Sequence, residues 1–363
     1  MCMLVMLILL RALMFQRDMA VKELVISSIH RHNFSNRLDS VEATDSVEAT
    51  ELVFPSVHRH NCSQPLSKLA LAMIAINVLP YNSREQATKT APVFPWSLHS
   101  LAAHGNFCGT LLIITDTPQL VKELWGEVRD EHPEQILPSV YIEKYDVEKM
   151  NNITLDLPPE DRRRAKLVKT QLFEYLPRSI APSIEVIGYV DSDILFLPKF
   201  QYHAKLMVRE KFAMGMFSEW HTSKNFEPYH SGVFSEWRDR FDTTNKKFEP
   251  YHSGVFYMTR QAGKCLEEWA REIVAGKVKR DQRALFLCPT CMRIITCLGS
   301  VKNSWLGFPD LKNPKLPNKS LAYLHYTTTK RAKAFIHPET HKFHKAFLQS
   351  IGGIPQKYLE MPQ

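Results

Sequence analysis

Two carboxylates stand in the middle of the strongest strand signal of the chain, EVIGYVDSDILFLP (residues 185–198). VIGYV precedes Asp191-Ser192-Asp193 and ILFLP follows it. Aliphatic and aromatic flanks of this kind predict a buried strand. A carboxylate in so apolar a context is costly without a partner. In an extended backbone, residues i and i+2 point the same way, so Asp191 and Asp193 would share a face. At the carboxyl end of a central strand they would look into the crevice where open α/β sheets bind ligands. Paired Asp oxygens suit a hard divalent cation, Mg²⁺ or Mn²⁺, which can grip a diphosphate. The plainer alternative is a turn between two strands, because Asp and Ser are turn formers.

The rest of the chain alternates strand and helix patterns. LALAMIAINVL (69–79) is a buried strand or a helix end before Pro80. GTLLIITD (109–116) is a strand that turns into the helical pattern LVKELWGEV. PSVYIEKYDV (138–147) is a strand, and PPEDRRRAKLVKTQLFEYLP (158–177) has helical spacing with proline at each end. KFAMGMF (211–217) is a further strand. Alternation of this kind predicts an α/β fold with a mixed, mainly parallel central sheet flanked by helices.

Residues 1–15, MCMLVMLILLRALMF, are almost wholly apolar. They are shorter than the about 20 apolar residues of a spanning helix and lack the basic start of a secretory signal. Two readings stay open: an atypical signal-anchor attached to a membrane, or an apolar terminus with no such role. Residues 16–66 are polar and repetitive, with SVEAT twice in succession and HRHN at His30 and His58, and read as stalk. A second repeat, FEPYHSGVF, occurs at 226–234 and 248–256, with Trp220 and Trp237 in the same duplicated region. The second copy is expected to be the structural one, because its strand continues as YMTR into a helix. One domain over residues 67–350 follows, with the duplication near 217–256 and a tail at 351–363.

Composition narrows the class. With 44% hydrophobic residues, 13 Gly and 22 Pro in 363, the chain is neither collagenous, polytopic nor wholly disordered. A net charge of +8 suits an anionic small ligand and does not call for nucleic acid. Seven cysteines give no regular framework. Cys288-Pro-Thr-Cys291 with Cys297 has no second pair at zinc spacing and reads as buried thiols or one disulfide. Sequons at Asn33, Asn61, Asn152 and Asn318 lean toward a lumenal location in the Golgi or secretory pathway, with the cytoplasm as the alternative.

Other residues fit a ligand site. Lys166 and Lys169, beside the arginines at 162–164, lie on one helix face and could neutralise phosphate; alone, they would be a solvated basic face. His252-Ser253-Gly254-Val255 is a turn into a strand, with Gly254 permitting close backbone approach. Arg280-Asp281-Gln282 ends a helical segment with groups suited to sugar hydroxyls. His325 follows a strand-like run in LAYLHYTTTK (321–330) and could be a third metal ligand.

YVDSDILFLP, SGVFYM, DQRALF and LHYTTTK, in this order, resemble family-8 glycosyltransferases: glycogenin-like and, more closely, glucoside xylosyltransferase-like enzymes. KTQLFEYLP ahead of the Asp pair resembles the second group, and the resemblance covers roughly residues 67–345. It implies a GT-A fold, Mn²⁺ or Mg²⁺ as cofactor, a UDP-sugar donor, a hydroxyl acceptor on glycan or glycoprotein, and retained anomeric configuration. Carried over by position, Asp191, Asp193 and His325 would hold the metal. Lys169, Ser192, His252, Ser253 and Gly254 would line the donor, Lys330 or Arg331 would pair with diphosphate, and Asp281 and Gln282 would contact the transferring sugar. The pattern departs from the family where His230 and His252 replace its Asn and Thr328 its Gly. Two other readings compete. A sugar-nucleotide nucleotidyltransferase would carry a Gly-rich loop at the first strand, which LALAMIAIN lacks. A degenerate transferase acting as a binding module is favoured by the duplication and the altered tail motif.

Overall fold

In a computed structural model of the chain, the residues described are 52–54, 64–76, 93–105, 107–146, 157, 163–218, 251–276, 280–300, 306–307, 322–325 and 338–360. The apolar start, the SVEAT and HRHN repeats, the four sequons, the first FEPYHSGVF copy, Arg162, Trp220, His230, Trp237, Lys330 and Arg331 lie outside them.

The elements follow in the order β1 (Leu52–Phe54), α1 (Gln64–Ser67), β2 (Leu69–Ala75), α2 (Val93–Gly105), β3 (Thr110–Thr115), α3 (Pro118–Glu131) and β4 (Ser139–Lys144). Next come α4 (Arg163–Leu167), a 3₁₀ turn (Val168–Thr170), β5 (Val186–Val190), β6 (Ile194–Phe196), α5 (Gln201–Glu210), β7 (Met214–Ser218) and β8 (Tyr251–Thr259). The last are α6 (Gly263–Ala275), α7 (Asp281–Phe286), α8 (Pro289–Ile294), β9 (Ile295–Ser300), β10 (Leu306–Gly307), β11 (Tyr323–His325) and α9 (Pro338–Ile351).

Among the described residues, eight strands form the main sheet in the order β1-β4-β3-β2-β5-β8-β7-β9. Pairs β2–β3, β3–β4, β2–β5 and β7–β9 are parallel; β1–β4, β5–β8 and β7–β8 are antiparallel. This is the expected mixed, mainly parallel sheet flanked by helices. Runs such as LALAMIA and TLLIIT are apolar on both faces because both faces are covered. Leu69, Leu71 and Met73 pack to one side with α2, α3 and α5, whereas Ala70 and Ala72 pack to the other with α6. A second sheet, β10-β11-β6, sits over a smaller core of Trp96, Leu195, Leu324, Phe347 and Leu348.

Several expectations are corrected. β1 falls in the stretch read as stalk: LVF pairs with β4 from Leu52↔Ile142 to Phe54↔Val140, too brief a run to stand out from its polar neighbours. The stretch read as a tail is docked, since Ile354 and Leu359 are buried and the Tyr358 hydroxyl donates to Glu127 Oε1 at 2.6 Å. Residues 158–177 are not one long helix; within the described part, α4 gives way at Val168 to a 3₁₀ turn and then to turns. His252, Ser253 and Gly254 lie inside β8, not in a turn before it, and Asp281 opens α7 instead of ending a helix. The cysteines are as expected: Cys291 forms one disulfide, with Cys265, and Cys288 and Cys297 are buried thiols.

Candidate metal and donor site

Two features of the topology place the acidic pair. The neighbours of β2 in the main sheet are β3 on one side and β5 on the other, so the strand order reverses between β2 and β5. The crevice at the carboxyl ends of strands flanking such a reversal is where open α/β sheets bind ligands. Ile74, at the end of β2, and Asp191, Ser192 and Asp193, just past β5, line a cavity of about 260 Å³ there, together with Ala165, Lys166, Lys169 and Tyr189. The second feature is that the chain changes sheets at Asp191–Asp193. β5 belongs to the large sheet and β6 to the small one.

Between them the backbone turns, with Ile194 N–H donating to Asp191 O at 3.2 Å. The plainer reading of the motif as a turn is therefore geometrically right, yet the carboxylates still converge. The register of each sheet brings the other residues in. β5 pairs with β8 through Val190↔Val255, and Asp191 N–H donates to Gly254 O at 2.8 Å, which sets His252–Gly254 beside Asp191. β11 pairs with β6 through His325↔Ile194, one residue from Asp193. The ligand atoms of Asp191, Asp193 and His325 all lie within 4.8 Å of one another. His325 Nε2 is 3.1 Å from Asp193 Oδ1. Two carboxylate oxygens and an imidazole nitrogen suit Mn²⁺ well and Mg²⁺ acceptably.

Beside this trio runs a buried ionic chain. Lys169 Nζ lies 3.1 Å from Asp191 Oδ1 and 2.9 Å from Asp281 Oδ2, and donates to Ser253 O at 3.3 Å. Its ammonium also sits 4.6 Å over the Tyr189 ring. Burial opposes a charge on Lys169, but Asp191 and Asp281 outweigh burial and hold its pKa well above the ordinary lysine value. Burial likewise opposes charge on the two carboxylates; Lys169, joined at Asp191 by His325 and the Tyr189 hydroxyl, offsets it and holds both below the ordinary Asp value. Burial, then the neighbouring His325, push His252 down to about 3, so its ring is neutral. Gly254 N–H donates to His252 Nδ1 at 3.0 Å, which assigns the ring proton to Nε2. A side chain at 254 has no room, since a Cβ there would lie 2.6 Å from Asp191 Oδ2.

The sequence-derived set divides cleanly. Asp191, Ser192, Asp193, Lys169, His252, Ser253, Gly254, Asp281 and His325 come together. Gln282 is buried in the first turn of α7 next to Asp281. Lys166 lines the cavity, whereas Arg163 donates to Val274 O at 2.8 Å and Arg164 to Leu157 O, each reaching a backbone carbonyl. Two residues escaped the reading. Tyr189 donates its O–H to Asp191 Oδ1 at 2.5 Å; its place two residues before Asp191 was the available signal. Trp269 Nε1–H donates to the Asp281 carbonyl at 2.7 Å; nothing local to α6 marks it out.

No protein-family model matches the chain, and no curated protein matches it in sequence. In solved structures it is similar to mouse xyloside xylosyltransferase 1 in its apo form, with 12% identity, a TM-score of 0.39, and 66% of this chain against 87% of that one. It is similar to a glycosyltransferase involved in glycosylation of the major capsid of PBCV-1, with 8% identity, a TM-score of 0.34, and 73% of this chain against 97% of that one. A third is core-mannan synthase A from Aspergillus fumigatus in an Mn/GDP form, with 10% identity, a TM-score of 0.33, and 60% of this chain against 68% of that one. At these identities and scores the likenesses assign neither donor nor acceptor.

Proposed function

We propose that the chain is a metal-dependent glycosyltransferase that moves a sugar from a nucleotide-diphosphate sugar, a UDP-sugar in the first instance, to a hydroxyl of a glycan or glycoprotein. The observation that carries the reading is the Asp191–Asp193–His325 cluster opening on a cavity at the switch point, with Lys169 and Asp281 beside it. Three carboxylates (Asp191, Asp193, Asp281) against one ammonium (Lys169) leave an excess of two, the charge of one divalent ion. Asp191, Asp193 and His325 would hold Mn²⁺ or Mg²⁺, whose chemistry when bound is that of a Lewis acid toward a diphosphate. Lys166 adds positive charge at the cavity wall. Ser253 Oγ lies 3.4 Å from Asp281 Oδ2, and with Gln282 this edge offers the donors and acceptors that orient sugar hydroxyls. Orientation of the acceptor then supplies much of the rate. Retention of configuration follows the family-8 resemblance.

A lumenal site of action is part of the proposal. The Cys265–Cys291 disulfide suits an oxidising compartment. Among the described residues no helix is long and apolar enough to cross a membrane; residues 1–15 lie outside them. The test is a panel of UDP-sugars assayed for binding and hydrolysis with and without Mn²⁺, with Asp191→Asn/Asp193→Asn as control. Metal-dependent binding of a donor, lost in the double variant, is expected. No donor binding at any metal concentration would refute the enzyme reading and favour a binding module. Activity intact in the double variant would refute the site.

A further inference from the structure

The Asp191 carboxylate is held on one side only. Its Oδ1 takes the Tyr189 O–H at 2.5 Å and the Lys169 ammonium at 3.1 Å. An ionised carboxylate oxygen has about two lone-pair sites, so Oδ1 is fully used within the protein. Oδ2 faces the bare Cα of Gly254. Lys169 is not committed to Asp191 alone, because Asp281 and Ser253 O share the same ammonium. Tyr189 has one acceptor and little freedom to leave it. Its ring is 2% exposed, stacks on Phe256 at 5.1 Å and 29°, and is opposite Phe256 in the β5–β8 register.

We propose that Tyr189 is a positioning residue that ties up Asp191 Oδ1, so that the carboxylate meets a cation through Oδ2 alone and the site favours Mn²⁺ or Mg²⁺ over Ca²⁺. The physical ground is coordination number. Ca²⁺ collects six to eight oxygens and commonly takes a carboxylate through both. Six-coordinate ions accept single carboxylate oxygens and fill the remaining positions with water or phosphate. A donor fixed on the non-ligating oxygen also sets the orientation of the ligating one. This inference rests on the metal reading above and adds the residue that sets the ion preference.

The experiment uses the full chain and metal alone: Mn²⁺ affinity by electron paramagnetic resonance of the free ion, with Ca²⁺ as competitor. Tyr189→Phe keeps the ring stack and removes only the hydroxyl. It is expected to weaken Mn²⁺ about 10- to 100-fold while Ca²⁺ binding changes less, so that the Mn²⁺/Ca²⁺ preference falls. Phe256→Leu, which loosens the stack and keeps the hydroxyl, should move the preference the same way by a smaller factor, and it serves if Tyr189→Phe does not fold. Tyr358→Phe loses a hydroxyl that donates to Glu127 on α3 and should leave both affinities unchanged. Wild-type preference for Mn²⁺ with an unaltered ratio in Tyr189→Phe overturns the role of Tyr189 and leaves the metal reading standing. A wild-type chain that binds neither ion overturns the metal reading and this inference with it.

Discussion

Lys169→Met is the sharpest test of how the site is held together. Lys169 is the cation between Asp191 at 3.1 Å and Asp281 at 2.9 Å, and its side chain is 10% exposed against 26% and 14% for theirs. Methionine keeps the stem and removes the charge. Breaking a buried ion pair by deleting one partner costs about 3–5 kcal/mol, because the other charge stays buried. The partial exposure of Asp191 puts the expected cost near 3 kcal/mol. For a unit spanning Glu51–Gln363, an unfolding entropy of about 2.1 cal/mol/K per residue converts that into a drop of about 5 °C in thermal midpoint. The pH dependence separates this cause from lost packing. In the wild type the pair lowers both Asp pKa values, so its stabilisation is present above the ordinary Asp range and is lost as pH falls through the folded values. In the variant the unpaired carboxylates lie above that range and can take up a proton instead. The deficit should therefore be full at pH 7 and shrink as pH approaches 4. Thermal melts of both proteins, without metal, across that interval read it directly. A deficit under 1 kcal/mol, or one that stays constant with pH, refutes the ion-pair argument.

Three further outcomes follow from the same geometry. Gly254→Ala should abolish Mn²⁺ binding in a titration, because a Cβ would lie 2.6 Å from Asp191 Oδ2, whereas Gly126→Ala on α3, with nothing within 4 Å, should raise stability by about 0.5–1 kcal/mol; equal effects at both positions would contradict the close approach. Removing Cys265–Cys291, whose partners are 26 residues apart, with Cys265→Ala/Cys291→Ala should cost about 3.5 kcal/mol by loop entropy and lower the thermal midpoint, and an unchanged midpoint in that variant would show that the bond contributes nothing. Burial pushes His99 down to about 4 and His203 to about 3, so the fold binds their neutral forms. Their folded values lie below the unfolded value of about 6.5, so stability should fall by up to about 3 kcal/mol per pH unit as pH drops below that value. His203→Leu should flatten the profile of urea midpoint against pH, and an unaltered slope would count against it.

How much of this the sequence discloses depends on the range of the interaction. The flanks of Asp191-Ser192-Asp193 disclose β5 and β6 because aliphatic side chains report burial locally. They do not disclose that the two strands enter different sheets, since β6 is fixed by pairing with β11 about 130 residues later through His325↔Ile194. The assumption of an extended backbone from Asp191 to Asp193 failed for that reason, and convergence of the side chains survived it. The helical spacing of residues 158–177 is a local signal overridden by a distant one. The chain tightens to a 3₁₀ turn where Lys169 reaches inward to Asp191 and Asp281, residues no periodicity connects to it. Asp281 opens a helix instead of ending one: Gly276, left-handed at φ 65°, closes α6, and the extended backbone of Arg280 (φ −112°, ψ 135°) begins α7.

The same comparison explains why β8 matters more than its sequence suggests. In sequence, His252, Ser253 and Gly254 together look like a break and predict a turn. In the structure they continue a fully buried strand. A loop would let Gly254 and His252 drift relative to the acidic pair. As part of β8 they are locked to β5 by the Val190↔Val255 pairing and by the Asp191 N–H bond to Gly254 O. The backbone hydrogen bonds that build the central sheet therefore also set the spacing between Asp191 and the two residues facing it. The chemistry of the site is in this way tied to a fully buried pairing of the fold, which anchors the turn that carries Asp191 and Asp193.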